Sequence, residues 1–165
     1  MDQKIAVLGA GSIGSSFAAD LTDAGLDVTI IDQWPAHVEV MKNKGLDITM
    51  PDLHLKVPVT AWHVCELAEH MPQFDIVFLA VKSYDTAWLT QLIEPYLKAN
   101  GVLIGLQNGM NNETISDIIG TDRTIGCAVE LSAEIFTPGI VKRDTTRSGT
   151  WFGIGELDGS FTPRL

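Results

Sequence analysis

A short apolar run that ends in three regularly spaced glycines constrains this chain more than any other feature. Residues Ile5 to Leu8 are apolar with a β-branched bias, and Gly9, Gly11 and Gly14 follow with the spacing G-x-G-x-x-G. This pattern predicts a strand that enters a helix through a tight turn. The first glycine makes the turn, the second lets a pyrophosphate approach the backbone, and the third lets the helix pack closely on the strand. We therefore expect an α/β fold built around this turn.

The same turn predicts a dinucleotide site that needs no side-chain cation. The backbone N–H groups of Ser12 and Ile13 would point at the phosphates, with the positive end of the helix dipole behind them. The candidate cofactor-binding residues of the turn are Gly9, Ala10, Gly11, Ser12, Ile13 and Gly14. A purely structural turn in an α/β domain that binds another ligand is the alternative, because glycine-rich turns are common between strands and helices.

The next apolar run ends in a carboxylate that bears on the choice of cofactor. Residues 28–31 lead into Asp32, which lies 18 residues beyond Gly14, where a dinucleotide-binding fold has its ribose-binding acid. Asp32 could accept both ribose hydroxyls of NAD(H), whereas a 2′-phosphate would be repelled without a nearby Arg or Lys. Gln33 follows and carries no charge, so this corner favours NAD(H). The alternative is that Asp32 only caps the helix that begins at Pro35.

The middle of the chain shows patterns other than a simple strand-helix repeat. Alternating apolar residues over 46–59 predict two strands outside the parallel sheet. Helices are predicted over residues 61–71 and, with an irregularity at Pro95, over residues 85–99. The first of these helices would carry His63, Cys65, Glu66 and His70. Their spacing matches no standard zinc pattern, so we interpret them as a half-solvated helix face and expect no metal site.

Two further strands bring polar residues to the carboxyl edge of the predicted sheet. Residues 74–81 form an apolar strand followed by Lys82, and residues 102–106 form another, followed by Gln107 and Asn108. Ligands of open α/β sheets bind beyond the carboxyl ends of the strands. We therefore expect Lys82 and Asn108 to share one crevice with the glycine turn. A lysine there can contact a phosphate, a carboxylate or a carbonyl oxygen, and an ordinary surface lysine is the alternative.

Charge and cysteine content argue against several classes of protein. A formal net charge of −10 over 165 residues argues against a broad nucleic-acid or anionic-membrane surface, and we expect neither partner. The longest apolar run, residues 76–81, is too short to cross a bilayer, and residues 1–4 do not begin a secretory signal.

The two cysteines, Cys65 and Cys127, form no C-x-x-C pair. They are interpreted as small core residues rather than nucleophiles, and they predict a reduced, cytoplasmic compartment.

Three motifs occur in a fixed order and spacing along the chain. They are G-A-G-S-I-G at residues 9–14, V-K-S-Y-D-T at residues 81–86 and L-Q-N-G-M at residues 106–110. In this order they resemble the ketopantoate reductases (2-dehydropantoate 2-reductases), and the resemblance continues through residues 125–130, 137–143 and 151–155. The glycine turn is shared with many dehydrogenases, whereas the second and third motifs together are fairly specific.

The resemblance implies a Rossmann-type, doubly wound domain with a mostly parallel sheet and added antiparallel strands. Similar enzymes reduce 2-dehydropantoate to pantoate with NADPH, a step in pantothenate and coenzyme A biosynthesis. Lys82 and Asn108 would then bind the cofactor near its nicotinamide and also lie close to the substrate carbonyl. The proton-donating lysine of the family belongs to a second, helical domain that this chain lacks, so no catalytic residue is expected here. Residues 1–165 are thus expected to be the dinucleotide-binding half of an NAD(P)-dependent oxidoreductase, inactive alone.

Several alternatives stay open from the sequence. The resemblance implies NADP(H), whereas Asp32 and Gln33 favour NAD(H). A stand-alone redox-sensing or interaction module is one alternative to the enzyme, and a sister-family enzyme acting on another 2-oxo or 3-hydroxy acid is a second. The expected partner is a small 2-oxo acid. An apolar surface that would face the second domain also predicts a homodimer or other self-association of this chain.

Overall fold

A computed structural model describes residues 3–165, which form strands and helices. Met1 and Asp2, on which the expectation of no secretory signal partly rests, lie outside the described residues. The strands are β1 (Ile5–Leu8), β2 (Val28–Asp32), β3 (Leu46–Thr49), β4 (His54–Val57), β5 (Thr60–His63), β6 (Phe74–Leu79), β7 (Leu97–Leu106), β8 (Thr124–Glu130), β9 (Ala133–Thr137), β10 (Ile140–Arg143) and β11 (Trp151–Gly155). The helices are α1 (Ser12–Asp23), α2 (Pro35–Lys44), α3 (Leu67–His70), α4 (Thr86–Ile93) and α5 (Asn112–Ile119). None of these described helices is long and apolar enough to cross a membrane.

A seven-stranded central sheet confirms the predicted Rossmann-type α/β fold. Its strand order is β11-β8-β7-β6-β1-β2-β5, and every pair is parallel except β11 with β8. The chain runs outward from β1 through β2 to β5, and then β6 returns to the other side of β1. This reversal is a topological switch point, where the connections on the two sides diverge and leave a crevice beyond the strand ends.

Helices and a second sheet cover both faces of the central sheet. All four residues of β1 are buried, as expected of a parallel strand that is covered on both sides. One core joins α1 and α2 to the central strands and includes Ala18, Val38 and Met41. The other core joins α4 and α5 to the opposite face through Leu89, Ile93 and similar side chains. The glycine turn therefore starts from a rigid, fully covered strand.

The second sheet lies against α1 and has the order β4-β3-β10-β9. Alternation over residues 46–59 was interpreted as two strands outside the parallel sheet, and these are the antiparallel hairpin of β3 and β4. β10 pairs in parallel with β3, with Val141 opposite Ile48. Both side chains are buried in the core that contains α1. The second sheet thus supports the helix whose first turn follows the glycines.

Two predicted helices differ in the structure. Residues 60–63 form strand β5 at the edge of the central sheet, followed by a 3-10 turn and the short α3, so the helix over 61–71 is wrong. The segment is a strand because it pairs in parallel with β2 at the edge of the sheet, where Ala61 is buried. Trp62 also stacks on His70, with ring centres 4.2 Å apart. The helix predicted over 85–99 ends at Ile93, and β7 already begins at Leu97 after a 3-10 turn that contains Pro95.

The four potential metal ligands of this segment do not converge on one point, although Glu66 Oε2 accepts a hydrogen bond from the backbone N–H of His63 at 2.6 Å. His63 Nε2 is 2.7 Å from Glu39 Oε1, and Glu66 accepts from Lys42 Nζ at 2.7 Å. Within residues 3–165, no group of three or more His, Cys, Asp or Glu side chains is placed to hold a metal ion.

Candidate functional site

A cleft of about 460 Å³ lies at the carboxyl edge of the central sheet, above the switch point. It is lined by residues 9–13, residues 32–34, residues 80–83 with Asp85, residues 106–108 with Asn111, and Val129 with Leu131. The loops after β1, β2, β6 and β7 thus meet in one place. The crevice predicted to join the glycine turn, Lys82 and Asn108 is present, and Asp32 lines it as well.

Two glycines of the turn are required by close backbone packing. Gly9 has a φ of +102°, and a Cβ there would lie 2.4 Å from Val81 Cγ1 and 2.8 Å from the Ala80 carbonyl oxygen. A Cβ on Gly14 would lie 1.9 Å from the Gly9 carbonyl oxygen. A larger residue at either place must displace backbone, so both glycines set the shape of the turn.

The middle glycine is different because it faces open space. A Cβ on Gly11 would meet no atom within 4 Å, and Gly11 has an ordinary φ of −62° at the start of α1. The first backbone bond of the helix runs from Ser15 N–H to the Gly11 carbonyl at 2.8 Å, which leaves the amides of Ser12 and Ile13 without helical acceptors. Free amides beside open space at the positive end of a helix fit a pyrophosphate group.

Asp32 holds the glycine turn as well as facing the cleft. Its Oδ2 accepts from Ala10 N–H at 2.5 Å, and its Oδ1 accepts from Trp34 N–H at 2.7 Å. The second bond supports the start of α2, although the residue that precedes that helix is Trp34 rather than Asp32. Since each carboxylate oxygen accepts more than one hydrogen bond, these structural bonds leave lone pairs for ribose hydroxyls. Asp32 is thus not the cap of α2, and its two structural bonds are compatible with a ribose role.

A buried hydrogen-bond chain behind the turn was not found from the sequence. His37 is fully buried, and its Nδ1 accepts from Gly139 N–H at 2.9 Å. Its Nε2 therefore carries the proton and donates to Ser15 Oγ at 3.1 Å, which in turn donates to the Ala10 carbonyl at 2.8 Å. Burial lowers the pKa of His37 below its ordinary value of 6.5, an effect larger than the opposing attraction of Asp32. The histidine is therefore a neutral link between the glycine turn and the second sheet.

Lys82 is the only basic residue that lines the cleft in the described part of the chain. It is exposed at the end of β6, and within residues 3–165 its ammonium group has no hydrogen-bonded or ion-paired partner. Lys82 therefore offers three donors to an anionic or carbonyl ligand.

Gln107 and Asn108 are held by backbone contacts. Gln107 Nε2 donates to the Val81 carbonyl at 2.6 Å and joins the loop after β6 to β7. Asn108 Nδ2 donates to the Val129 carbonyl at 2.9 Å, and Asn108 Oδ1 accepts from Val129 N–H at 3.0 Å. The Asn108 amide lines the cleft, but its bonds fix the loop to β8. Gln107 was visible in the third motif, whereas its structural contacts depend on tertiary pairing.

Comparison with known proteins identifies the family of this chain. The family model described as ketopantoate reductase PanE/ApbA matches residues 5–156. The chain belongs to the ketopantoate reductase family. It is 37% identical to the 2-dehydropantoate 2-reductase of Pyrococcus abyssi over 84% of this chain and 44% of that protein. This family consists of NAD(P)-dependent oxidoreductases.

Solved structures of related proteins share the fold. D-mandelate dehydrogenase, in a ternary structure with NADH and anilino(oxo)acetate, is 26% identical with a TM-score of 0.84, over 93% of this chain and 48% of that one. The 2-dehydropantoate 2-reductase from Geobacter metallireducens is 24% identical with a TM-score of 0.86, over 98% and 52% of the two chains. The present chain thus spans about half the length of the relatives that it matches.

Proposed function

We propose that residues 1–165 are one dinucleotide-binding domain, the cofactor half of an oxidoreductase that reduces a small 2-oxo acid. One observation carries the proposal: the free amides of Ser12 and Ile13, the open face of Gly11 and the Asp32 carboxylate all line a single cleft. This combination suits a pyrophosphate joined to a ribose. Family membership supports the reaction class, with 2-dehydropantoate as the first candidate substrate.

The chain's own residues would bind and orient the reactants. When bound, the reduced nicotinamide supplies a hydride for the ketone carbon of the substrate. Lys82 is the residue of the cleft that can hold a carboxylate or carbonyl oxygen of a 2-oxo acid, because its ammonium group is exposed there. Asn108 fixes the loop that closes this end of the cleft. We assign proton donation to the part of the relatives that this chain does not span.

We further propose that the cofactor is NAD(H) rather than NADP(H). Asp32 is the charged group that faces the ribose corner after β2, and Gln33 and Trp34 beside it bring no positive charge. A 2′-phosphate would place two negative charges near this carboxylate, whereas two ribose hydroxyls could donate to it.

Calorimetric titration of the 165-residue chain with NADH and with NADPH tests both statements. Saturable binding of either nucleotide supports the cofactor domain, and tighter binding of NADH supports the preference. Absence of binding for both at millimolar concentration contradicts the proposed function, because the amides and Asp32 are in place without any further segment.

A second candidate substrate has an observation in its favour. D-mandelate dehydrogenase, the relative solved with NADH, acts on an aromatic 2-hydroxy acid, and the Asp32 corner also favours NADH. A longer form of this chain that includes the second half of its relatives should therefore be assayed with 2-dehydropantoate and with phenylglyoxylate, the 2-oxo acid of mandelate. Turnover with neither, while NADH still binds, would support a binding module instead of an enzyme.

We place the protein in the cytoplasm, where its thiols would remain reduced. Neither cysteine forms a disulfide. Cys127 is buried, as expected of a core residue, whereas Cys65 is exposed, so its interpretation as a core residue is wrong. Burial raises the pKa of the Cys127 thiol, which makes it a poor nucleophile. Fractionation of the source cells would test this location.

A further inference from the structure

A second carboxylate lies across the crevice from the ribose corner. Asp85 ends the short 3-10 turn after β6 and lines the cleft together with Asp32 and Gln33. Its Oδ2 is 3.5 Å from Gln33 Nε2, so the loops after β2 and β6 approach each other at this side chain. Asp85 was not selected from the sequence, although it lies within the second motif.

The position of Asp85 is fixed by its own contacts. Its Oδ1 accepts a hydrogen bond from Trp88 Nε1 at 2.7 Å, one turn further along α4. This bond leaves Oδ2 directed toward Gln33 and the cleft. A ligand that enters the corner between the two loops therefore meets an oriented carboxylate.

The two carboxylates of the corner form no direct ion pair with the one basic residue of the cleft in the described part of the chain. The charged residues that line the cleft in the described part of the chain are Asp32, Lys82 and Asp85. Among residues 3–165, neither carboxylate has a Lys, Arg or His nitrogen within 4.0 Å. The corner is therefore negative from two sides, and repulsion of an added phosphate grows with each carboxylate.

We propose that Asp85 is a second cofactor-specificity residue, which acts with Asp32 to exclude a 2′-phosphorylated dinucleotide. This inference rests on the proposed function, since it assigns the adenosine ribose to the corner of Asp32 and Gln33. The neutral Gln33 amide links the two loops without adding charge. Discrimination against NADPH thus comes from both sides of the crevice, and removing either carboxylate weakens it.

The substitution Asp85→Asn separates charge from geometry. Asparagine keeps an oxygen that accepts from Trp88 Nε1, so the loop should retain its position. Titration calorimetry should show NADPH affinity raised roughly five- to tenfold, with NADH affinity changed by less than about twofold. The gain should shrink as salt increases, because salt screens the exposed charges. Asp117→Asn, the same chemical change on the outer side of α5 away from the cleft, should change neither affinity.

The possible failures are distinguishable. Binding of neither nucleotide to the unmodified chain overturns the proposed function and this inference together. If the unmodified chain binds NADH, but Asp85→Asn changes the affinities for both nucleotides equally or leaves the NADPH affinity unchanged, only the role of Asp85 is overturned. Tighter binding of NADPH than of NADH by the unmodified chain overturns both the preference and the role of Asp85.

Discussion

Gly11→Val should abolish most dinucleotide binding while leaving the fold intact. The position has an ordinary φ of −62°, and the added Cβ would meet no protein atom within 4 Å. The side chain would instead occupy the part of the cleft beside the free amides of Ser12 and Ile13. The substitution thus blocks the approach of a pyrophosphate without displacing the turn.

The two free-energy effects differ enough to be separated. Replacing glycine by an aliphatic residue at the start of a helix costs about 1 kcal/mol, because the amides there are less well solvated. Lower backbone entropy of the unfolded chain offsets about 0.5 kcal/mol of this. Loss of two hydrogen bonds to a charged phosphate costs about 3 kcal/mol, which weakens binding roughly 100-fold. Binding should therefore suffer far more than folding.

Calorimetry with NADH and urea unfolding, applied to the same preparations, measure the two effects. Gly155→Val is the matched control, because a Cβ on Gly155 in β11 also meets nothing within 4 Å and the residue does not line the cleft. The control should bind NADH normally. Equal affinities of Gly11→Val and the unmodified chain would show that the pyrophosphate does not lie on this turn, and the reasoning would be refuted.

Two further predictions concern stability and assembly. His37→Phe removes the acceptor of Gly139 N–H and the donor to Ser15 Oγ, so urea unfolding should show a loss of about 2 to 4 kcal/mol. Burial lowers the pKa of His37 in the folded chain, so as pH falls the histidine is protonated in the unfolded chain before it is protonated in the folded chain. The free energy of unfolding should therefore fall as pH drops below 6.5. An equally steep fall for His37→Phe between pH 6.5 and roughly pH 5 would contradict this. Exposed Trp151 and Phe152 on the edge strand β11 predict concentration-dependent self-association. Sedimentation velocity should detect it, Trp151→Thr should reduce it, and a monomer at all micromolar concentrations would disprove it.

The parts of the site that follow a rule of the parallel sheet could be predicted from the sequence. Largely apolar runs identify β1, β2 and β6, and the polar residues that follow them must meet at the carboxyl edge. Asp32 and Lys82 were found for this reason, and both line the cleft. Their proposed contacts with a cofactor remain predictions.

The parts that depend on pairing between distant segments could not be predicted. β5 has four residues, too few to show a period, and its pairing with β2 makes it a strand. His37 lies on a helix with no distinctive pattern, and its partner Gly139 is 102 residues away. The orientation of Asp85 likewise depends on the contact of Gln33 across the crevice.

The buried link through His37 gives the second sheet a role in preparing the cofactor site. Gly139 has a φ of +78°, and a Cβ there would lie 2.3 Å from Val40 Cγ1, so the turn before β10 presents its N–H to His37 only because the residue is glycine. The bonds continue through Ser15 to the Ala10 carbonyl, while Asp32 holds the Ala10 N–H. Both polar groups of one residue in the glycine turn are thus fixed before any ligand arrives. A turn ordered during folding leaves less conformational entropy to be lost on binding. If a dinucleotide binds at this turn as proposed, its affinity should therefore depend on a sheet that does not line the cleft.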